Sequence, residues 1–464
     1  RRSSDLQRDC EFLSNLCQKF QERGYTITCL PQNRYTHTTV QRFFEEDIVA
    51  SEYLDHEPTS DLETLFEKYD ISEPKSLLFS HMVPIGAYPK PEAHSGSIFD
   101  SPGIEFDEYW NLLHRTLDYL DHLYENGRGG TVIQHSGGEI LRRTAHRVAN
   151  HHGEESIWIG FSPIEGESGI YDNEMANWKS FSSTKDFKPR DNEIERAREY
   201  RDELVNTQPV IHRDEDSSGP SLSSLAGNIR RKLYRIRAYD FDVTPLARHF
   251  LEVRRERLQK SRRKRYAKQT YLSKEDSRRV LRNKKFVFFP LQFYKESRIT
   301  VRAPQYYDQT WIIEYLSRSL PPGYELVVKD HPFQLGQFSK GAVRSIATHA
   351  IPIHPEVHAH EAIKGAAAIV TINNTVGFES LVFGKPVVTL GSAFYDGCGY
   401  TMNVSSPTSL PATITEAISS EGISRDDVLE LLCRTIRGSY PGDWYDPAPD
   451  NVRKLSSSVV RLID

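Results

Sequence analysis

The residues best suited to chemistry lie in two short stretches of the C-terminal half. Lys329, Asp330, His331 and Pro332 follow the apolar run YELVV, and Asn373 to Glu379 follow AAAIVTI. An ammonium and an imidazole at a strand end supply positive charge and a donor that titrates near neutrality. In the second stretch, Ala366 to Ile372 is a continuous apolar run, as in a strand buried on both faces. It stops at Asn373, Asn374 and Thr375, three residues able to cap a helix, and Val376 to Phe383 has helical spacing. Gly384 sits where a left-handed helix end belongs, and Pro386 opens a further strand, PVVTL. The backbone N–H groups of such a loop suit phosphate, and Glu379, one turn in, is within reach of a ribose hydroxyl. The plainer alternatives are sheet packing, a capping His331, a solvated Lys329 and a first-turn Glu379 favoured by the helix dipole.

Ligands of an open parallel sheet bind outside the carboxyl ends of its strands. Two strands of one sheet would thus aim His331 and Asn373–Thr375 at a shared crevice. Phe286 to Phe289 reads as the first strand of that half, with Pro290 to Ser297 as its exit loop. Helices follow at Asp308–Leu316, Ser339–His349, Glu356–Lys364, Leu410–Ser419, Arg425–Ile436 and Asn451–Leu462. In the first half, Asp5–Arg23 and Phe106–Tyr124 read as amphipathic helices, Tyr25–Leu30 and Ser76–Met82 as strands, and Tyr88–Gly103 as a long loop. Thr131–Gln134, Glu139–Asn150 and Glu155–Pro163 then form a second strand–helix–strand unit, with a glycine-bearing loop at His135–Gly138. The expected fold is therefore α/β, with two Rossmann-like, doubly wound parallel-sheet domains.

A chain of 464 residues exceeds what one core usually supports, and 38% hydrophobic content is enough for packed cores. The net charge of −5 singles out no partner. Five cysteines without CxxC spacing suit a reducing compartment and argue against a disulfide or zinc framework. No apolar run approaches ~20 residues, and the opening RRSSDLQRD has no apolar core of the signal-peptide kind. The expectation is a cytoplasmic protein, peripheral at the inner face of the plasma membrane. That second clause rests on Arg230–Lys268, where Arg and Lys dominate; the segment is either a solvated connector or a basic helix held against anionic lipid. No nucleic-acid motif accompanies it. His151–His152 and His354, His358 and His360 have metal-like spacing without an acidic partner, so no metal is expected.

Three stretches together resemble the capsule polysaccharide biosynthesis glycosyltransferases, a family that includes Kdo-type sugar transferases. They are FFPLQFYKES (Phe288–Ser297), VVKDHPFQ (Val327–Gln334) and TINNTVGFESLVFGKPVVTLGSAFYD (Thr371–Asp396). The resemblance covers about Lys284 to Tyr400. Asn at the second and third positions of the phosphate loop departs from the Ser or Thr common there. The resemblance implies two domains facing a cleft (GT-B type): residues 1–228 for the acceptor, a basic connector at 229–282, residues 283–440 for the nucleotide-sugar, and a helix at 441–464 crossing back. It implies that His331 donates to the donor phosphate, with Lys329 and Pro332 beside it. Asn373, Asn374 and Thr375, with the N–H groups of Val376 and Gly377, would hold that phosphate, and Glu379 the ribose. Pro290, Gln292 and Glu296 would contact base or sugar.

The implied activity is transfer of a sugar from a nucleotide-activated donor to a cell-surface polysaccharide or glycolipid, with neither metal nor cofactor. An inverting transferase needs a base on the acceptor hydroxyl. His135, Glu139, Glu165 and Glu167 are the first-domain candidates, with His135 and Glu167 favoured; Glu296 and His331 are the catalytic candidates of the second. The same fold would serve a CDP-polyol phosphotransferase or a nucleotide-sugar epimerase, and a non-catalytic carbohydrate- or lipid-binding partner is the remaining reading.

Overall fold

The computed structural model describes residues 2–30, 44, 49–82, 106–182, 187–207, 244–293, 296–446 and 448–463. The loop expected at Tyr88–Gly103 and the opening of the basic segment, Arg230 to Asp242, lie outside these residues.

The first sheet starts with β1 (Val132–His135), the Ile140–His151 helix and β2 (Ser156–Phe161), paired in parallel from Val132↔Ser156 to His135↔Ile159. Gly166 then takes φ +73, open to glycine at little cost, and the chain reverses into β3 (Glu167–Tyr171), antiparallel to β2. The second sheet holds β4 (Phe286–Pro290), β5 (Glu325–Lys329), β6 (Ile351–Ile353), β7 (Ala368–Thr371), β8 (Val387–Thr389) and β9 (Met402–Asn403). Every pair in it is parallel, and the order is β6-β5-β4-β7-β8-β9. From β4 the chain winds outward to β6, then jumps back to β7 and winds the other way. The junction of β4 and β7 is the switch point at which such sheets bind ligands. After the Arg425–Arg437 helix the chain returns to the first sheet as β10 (Ser439–Pro441), antiparallel to β3.

The core follows from strand alternation. In β4, Phe286 and Phe288 enter one hydrophobic cluster while Val287 and Phe289 enter the other, and all four are fully buried. Both faces of the second sheet are covered, which is why its strands read as unbroken apolar runs. The Pro449–Ile463 helix places Leu455, Val459 and Val460 in one cluster with Phe12, Leu16 and Phe20 of the first helix and Ile157 and Ile159 of β2.

Three expectations are corrected. Ser76–Met82 belongs to a helix, Pro74–Met82, with Leu77 and Leu78 buried. Tyr25–Leu30 forms no strand; its one pairing is an isolated bridge from Cys29 to Val49. The first sheet is mixed, since only β1 and β2 are parallel, and β3 and β10 complete it in the opposite sense.

Candidate functional site

The loops leaving β4 and β7 are laced together by amides. Asn374 Nδ2 donates to the Pro290 carbonyl at 3.2 Å, and Asn373 Nδ2 to the Arg298 carbonyl at 2.7 Å. Gln309 clamps Gln292 by accepting from its backbone N–H (2.7 Å) and donating to its carbonyl (2.8 Å). Gln292 Nε2 then donates to Glu296 Oε2 at 3.0 Å. These bonds fix which way each amide faces and leave the oxygens Gln292 Oε1, Asn373 Oδ1 and Asn374 Oδ1 buried without a hydrogen-bond partner among the described residues. An unsatisfied buried acceptor costs about 1–3 kcal/mol. Three of them at a switch point form an acceptor set for hydroxyl or amino groups. Phosphate oxygens only accept, so this face of the two asparagines does not match the phosphate contact expected of them.

The start of the Thr375–Val382 helix is also partly engaged. Gly377 N–H donates to the Asn374 carbonyl (3.2 Å), which accepts the Tyr395 hydroxyl as well (2.8 Å). A Cβ built at Gly377 would lie 2.1 Å from Tyr395 Oη. Glycine is needed there for packing against Tyr395, and its N–H is taken, which corrects the expected phosphate contact. Thr375 is buried and Val376 half-buried. Glu379 is not the exposed first-turn acid of the plainer alternative. It is buried against His360, Nε2 to Oε2 2.9 Å, in a pair internal to the second domain. The neighbouring histidines are used locally: His358 Nδ1 accepts from the His360 N–H (3.2 Å) and His354 Nδ1 from the Glu356 N–H (3.2 Å).

At the exit of β5 the pattern Lys329–Asp330–His331–Pro332 divides by burial. Asp330 is 2% exposed and accepts from the Tyr271 hydroxyl and Gln334 Nε2, each at 3.3 Å. Burial pushes its carboxyl up to about 7, against the pull of those donors, the His331 N–H and the Lys329 charge. Burial likewise lowers Lys329 to about 8, opposed by Asp330 and Glu379. His331 is half-buried, its ring 5.8 Å from that of Phe293, and Pro332 is exposed.

The segment after β4 also reaches the first sheet. Arg298 lies 4.9 Å over the ring of Phe161, the last residue of β2, and 3.8 Å from Glu296. Arg302 donates from Nε to the Glu174 carbonyl (3.4 Å), and from Nη2 to Ser136 Oγ and Tyr171 Oη (3.5 Å each). Ser80 donates to Thr300 between them at 2.8 Å. The carboxyl ends of β1, β2, β4 and β7 thus converge on one place, with two guanidinium groups in it. Burial lowers the Arg302 pKa, and the nearby Arg298 charge adds to the effect; an arginine stays cationic regardless. Sequence reasoning missed both arginines. Their four-residue spacing just after a strand exit was the available signal.

The first-domain base candidates are not gathered together. His135 stacks on Trp444, ring centroids 4.6 Å apart, and meets Tyr445 edge-on. Glu139 pairs with Arg142 at 3.0 Å, and Glu165 is exposed. Glu167 opens β3 beside the end of β2; its Oε1 pairs with Arg196 at 2.8 Å, and Oε2 is buried without a hydrogen-bond partner among the described residues.

Residues 246–411 match the family model described as capsule polysaccharide biosynthesis protein. Protein FixF of Sinorhizobium fredii is 32% identical over 119 residues, 24% of this chain and 27% of that protein. Capsule polysaccharide export protein KpsS of Escherichia coli is 32% identical over 127 residues, 24% of this chain and 31% of that protein. The matched region therefore spans about a third or less of these relatives. A solved structure of Thermosulfurimonas dismutans KpsC, described as a beta Kdo 2,7 transferase, aligns at 14% identity and TM-score 0.40 over 74% of this chain and 89% of that one. The capsule-biosynthesis resemblance holds over the second sheet and its flanking helices.

Asp330 gives a pH signature. Its carboxyl moves from an ordinary 3.8 to about 7 on folding, so between these values the folded protein holds more protons than the unfolded chain. Stability then falls as pH rises through that window. Asp330→Asn, which keeps an acceptor for Tyr271, is expected to flatten the decline of melting temperature between about pH 4 and 7. Parallel melting profiles for variant and parent would contradict the shift.

Proposed function

We propose that the chain is a glycosyltransferase of surface-polysaccharide synthesis that takes its sugar from a nucleotide-activated donor bound where the two sheets meet. The observation carrying this reading is the pairing of Arg298 and Arg302 with three buried, unpartnered oxygens at the β4–β7 switch point. A guanidinium matches a phosphate or sugar carboxylate in geometry and charge. Oxygens of Gln292, Asn373 and Asn374 suit the hydroxyl groups of a sugar. Departure of the nucleotide leaves negative charge on its phosphate. Arg298, Arg302, Lys329 and His331 are the groups to stabilise it, and with four such donors no metal is required. Lys329, lowered by burial to about 8, still carries its proton at neutral pH and can meet an anion as a cation. For deprotonating the acceptor hydroxyl, Glu296 on the donor side and Glu167, with its unpartnered Oε2, are the assigned candidates; His135 is a weaker one because it is stacked on Trp444. The acceptor, a polysaccharide or glycolipid, enters from the first domain.

The Thr244–Thr270 helix adds a location to this reading. Arg254, Arg255, Arg262, Lys264, Arg265 and Lys268 are exposed on it, with Leu258 55% exposed among them. Ala267 and, just beyond the helix, Tyr271 pack with Leu335 and Val343 of the second domain. No described helix is long and apolar enough to cross a membrane. A basic surface of this kind holds a protein against anionic lipid at about 1 kcal/mol per cation near the surface.

Thermal-shift titration with CMP, UDP, GDP, ADP and CDP tests the donor site, since a ligand of the folded state raises the melting temperature. One nucleotide is expected to stabilise the protein, and Arg302→Ala to weaken it by about 10- to 100-fold, the worth of a charge-assisted bond. His331→Ala should weaken it too. Stabilisation by a CDP-polyol alone would favour the phosphotransferase, and no response to any nucleotide-activated donor would favour a non-catalytic partner. For the lipid surface, cosedimentation with phosphatidylserine vesicles should be strong at low salt and fall steeply as salt rises. Equal binding to neutral vesicles would count against it.

A further inference from the structure

A second constellation lies away from the β4–β7 crevice, on the Phe106–Glu125 helix. Asp118 and His122 stand four residues apart there, on one face of the helix, and His56 reaches them from the segment after the Ser51–Asp55 turn. His56 Nε2 is 2.6 Å from Asp118 Oδ2, and His122 Nδ1 is 3.4 Å from the same oxygen. One ligand atom from each residue falls within 4.8 Å of the others.

The graded burial of the trio suits an ion. The Asp118 side chain has no exposure, His56 has 19% and His122 43%, so a fully buried carboxylate lies beneath two imidazoles that open toward solvent. The carboxylate is oriented from behind, because Ser60 N–H donates to Oδ1 (2.8 Å) and Thr59 N–H to Oδ2 (3.2 Å). His122 Nδ1 lies 2.8 Å from the Asp118 carbonyl. Donation there leaves Nε2, now 3.2 Å from Thr59 Oγ1, with the lone pair that a metal takes. Backbone bonds of this sort are what hold metal ligands in the correct tautomer and rotamer.

We infer that His56, Asp118 and His122 form a binding site for a zinc-type divalent cation, with water as the fourth ligand. Two borderline imidazoles with one carboxylate form a set that suits Zn²⁺ rather than Mg²⁺ or Ca²⁺, which favour all-oxygen shells. The ion replaces the His56–Asp118 hydrogen bond, and a small separation of the two side chains accommodates bonds of about 2.0–2.2 Å. Its effect is structural: it ties the 49–60 segment to the helix and is separate from the sugar-transfer chemistry proposed above. Without an ion, the same three residues are a hydrogen-bonded clamp, and that is the rival to be tested.

The test uses the full chain after EDTA treatment and dialysis, titrated with ZnCl₂ by calorimetry and with CoCl₂ by visible absorption. One equivalent should bind. The cobalt spectrum should show d–d bands without thiolate charge transfer, which separates this site from the cysteines. His122→Gln and His56→Gln, both at partly exposed positions, should each weaken binding by about 10-fold or more. Zinc should raise the melting temperature of the parent but not of either variant. No zinc binding by the parent, thiolate bands in the cobalt spectrum, or an affinity in both variants equal to the parent's would overturn the assignment. A loss of melting temperature in the variants that is the same with and without zinc would leave the clamp as the whole role of the trio.

Discussion

The structure depends on one electrostatic constraint: Arg298 and Arg302 stand between the carboxyl ends of two sheets. An arginine cannot shed its charge to suit its surroundings, so the protein must supply acceptors or receive an anion. It supplies them sparingly. Arg302 has a carbonyl and two hydroxyls at 3.4–3.5 Å, and Arg298 has one aromatic face and a carboxylate at 3.8 Å. These are long, weak contacts for guanidinium groups, which bind carboxylate or phosphate more closely when such a group is offered. The surrounding residues are ordered around this unspent charge. Asn373 ties the Arg298 backbone to the exit of β7, and Thr300 is held from the first domain by Ser80.

Around that centre, burial divides the polar residues into two kinds. Glu379 with His360, and Asp330 with Tyr271 and Gln334, have partners inside the second domain and hold loops in place. Gln292, Asn373 and Asn374 use their N–H₂ groups for the same purpose but present oxygens that no described residue satisfies. The first kind positions the crevice; the second kind makes it selective for groups that donate hydrogen bonds.

Much of this was legible in the sequence where local pattern decides. β4, β5, β7 and β8 are short apolar runs ending in polar residues, because a parallel sheet covered on both faces demands that pattern. β3 and β10 were not legible. ESGIY and SYP carry little apolar periodicity, and their pairing joins residues more than 260 positions apart. SLLFSHM, a short apolar run, fits strand or helix equally, and packing of Leu77 and Leu78 against the Phe106–Glu125 helix decided for helix. Glu379 and Gly377 were found as residues, but not the contacts that hold them. Their partners, His360 in the Ala359–Gly365 helix and Tyr395 in the loop after β8, come from elsewhere in the chain, and a linear motif does not carry that contact. Arg298 and Arg302 were missed for the same reason: their significance lies in Phe161, Ser136 and Tyr171, more than 130 positions away.

Hydrogen exchange read by mass spectrometry, with and without a saturating nucleotide-sugar, bears most directly on where the donor sits. Slowed exchange is expected in peptides covering 291–303 and 371–377 together, with little change around 49–60. Binding that protects other segments and leaves both of these unchanged would contradict a donor site at the meeting of the two sheets.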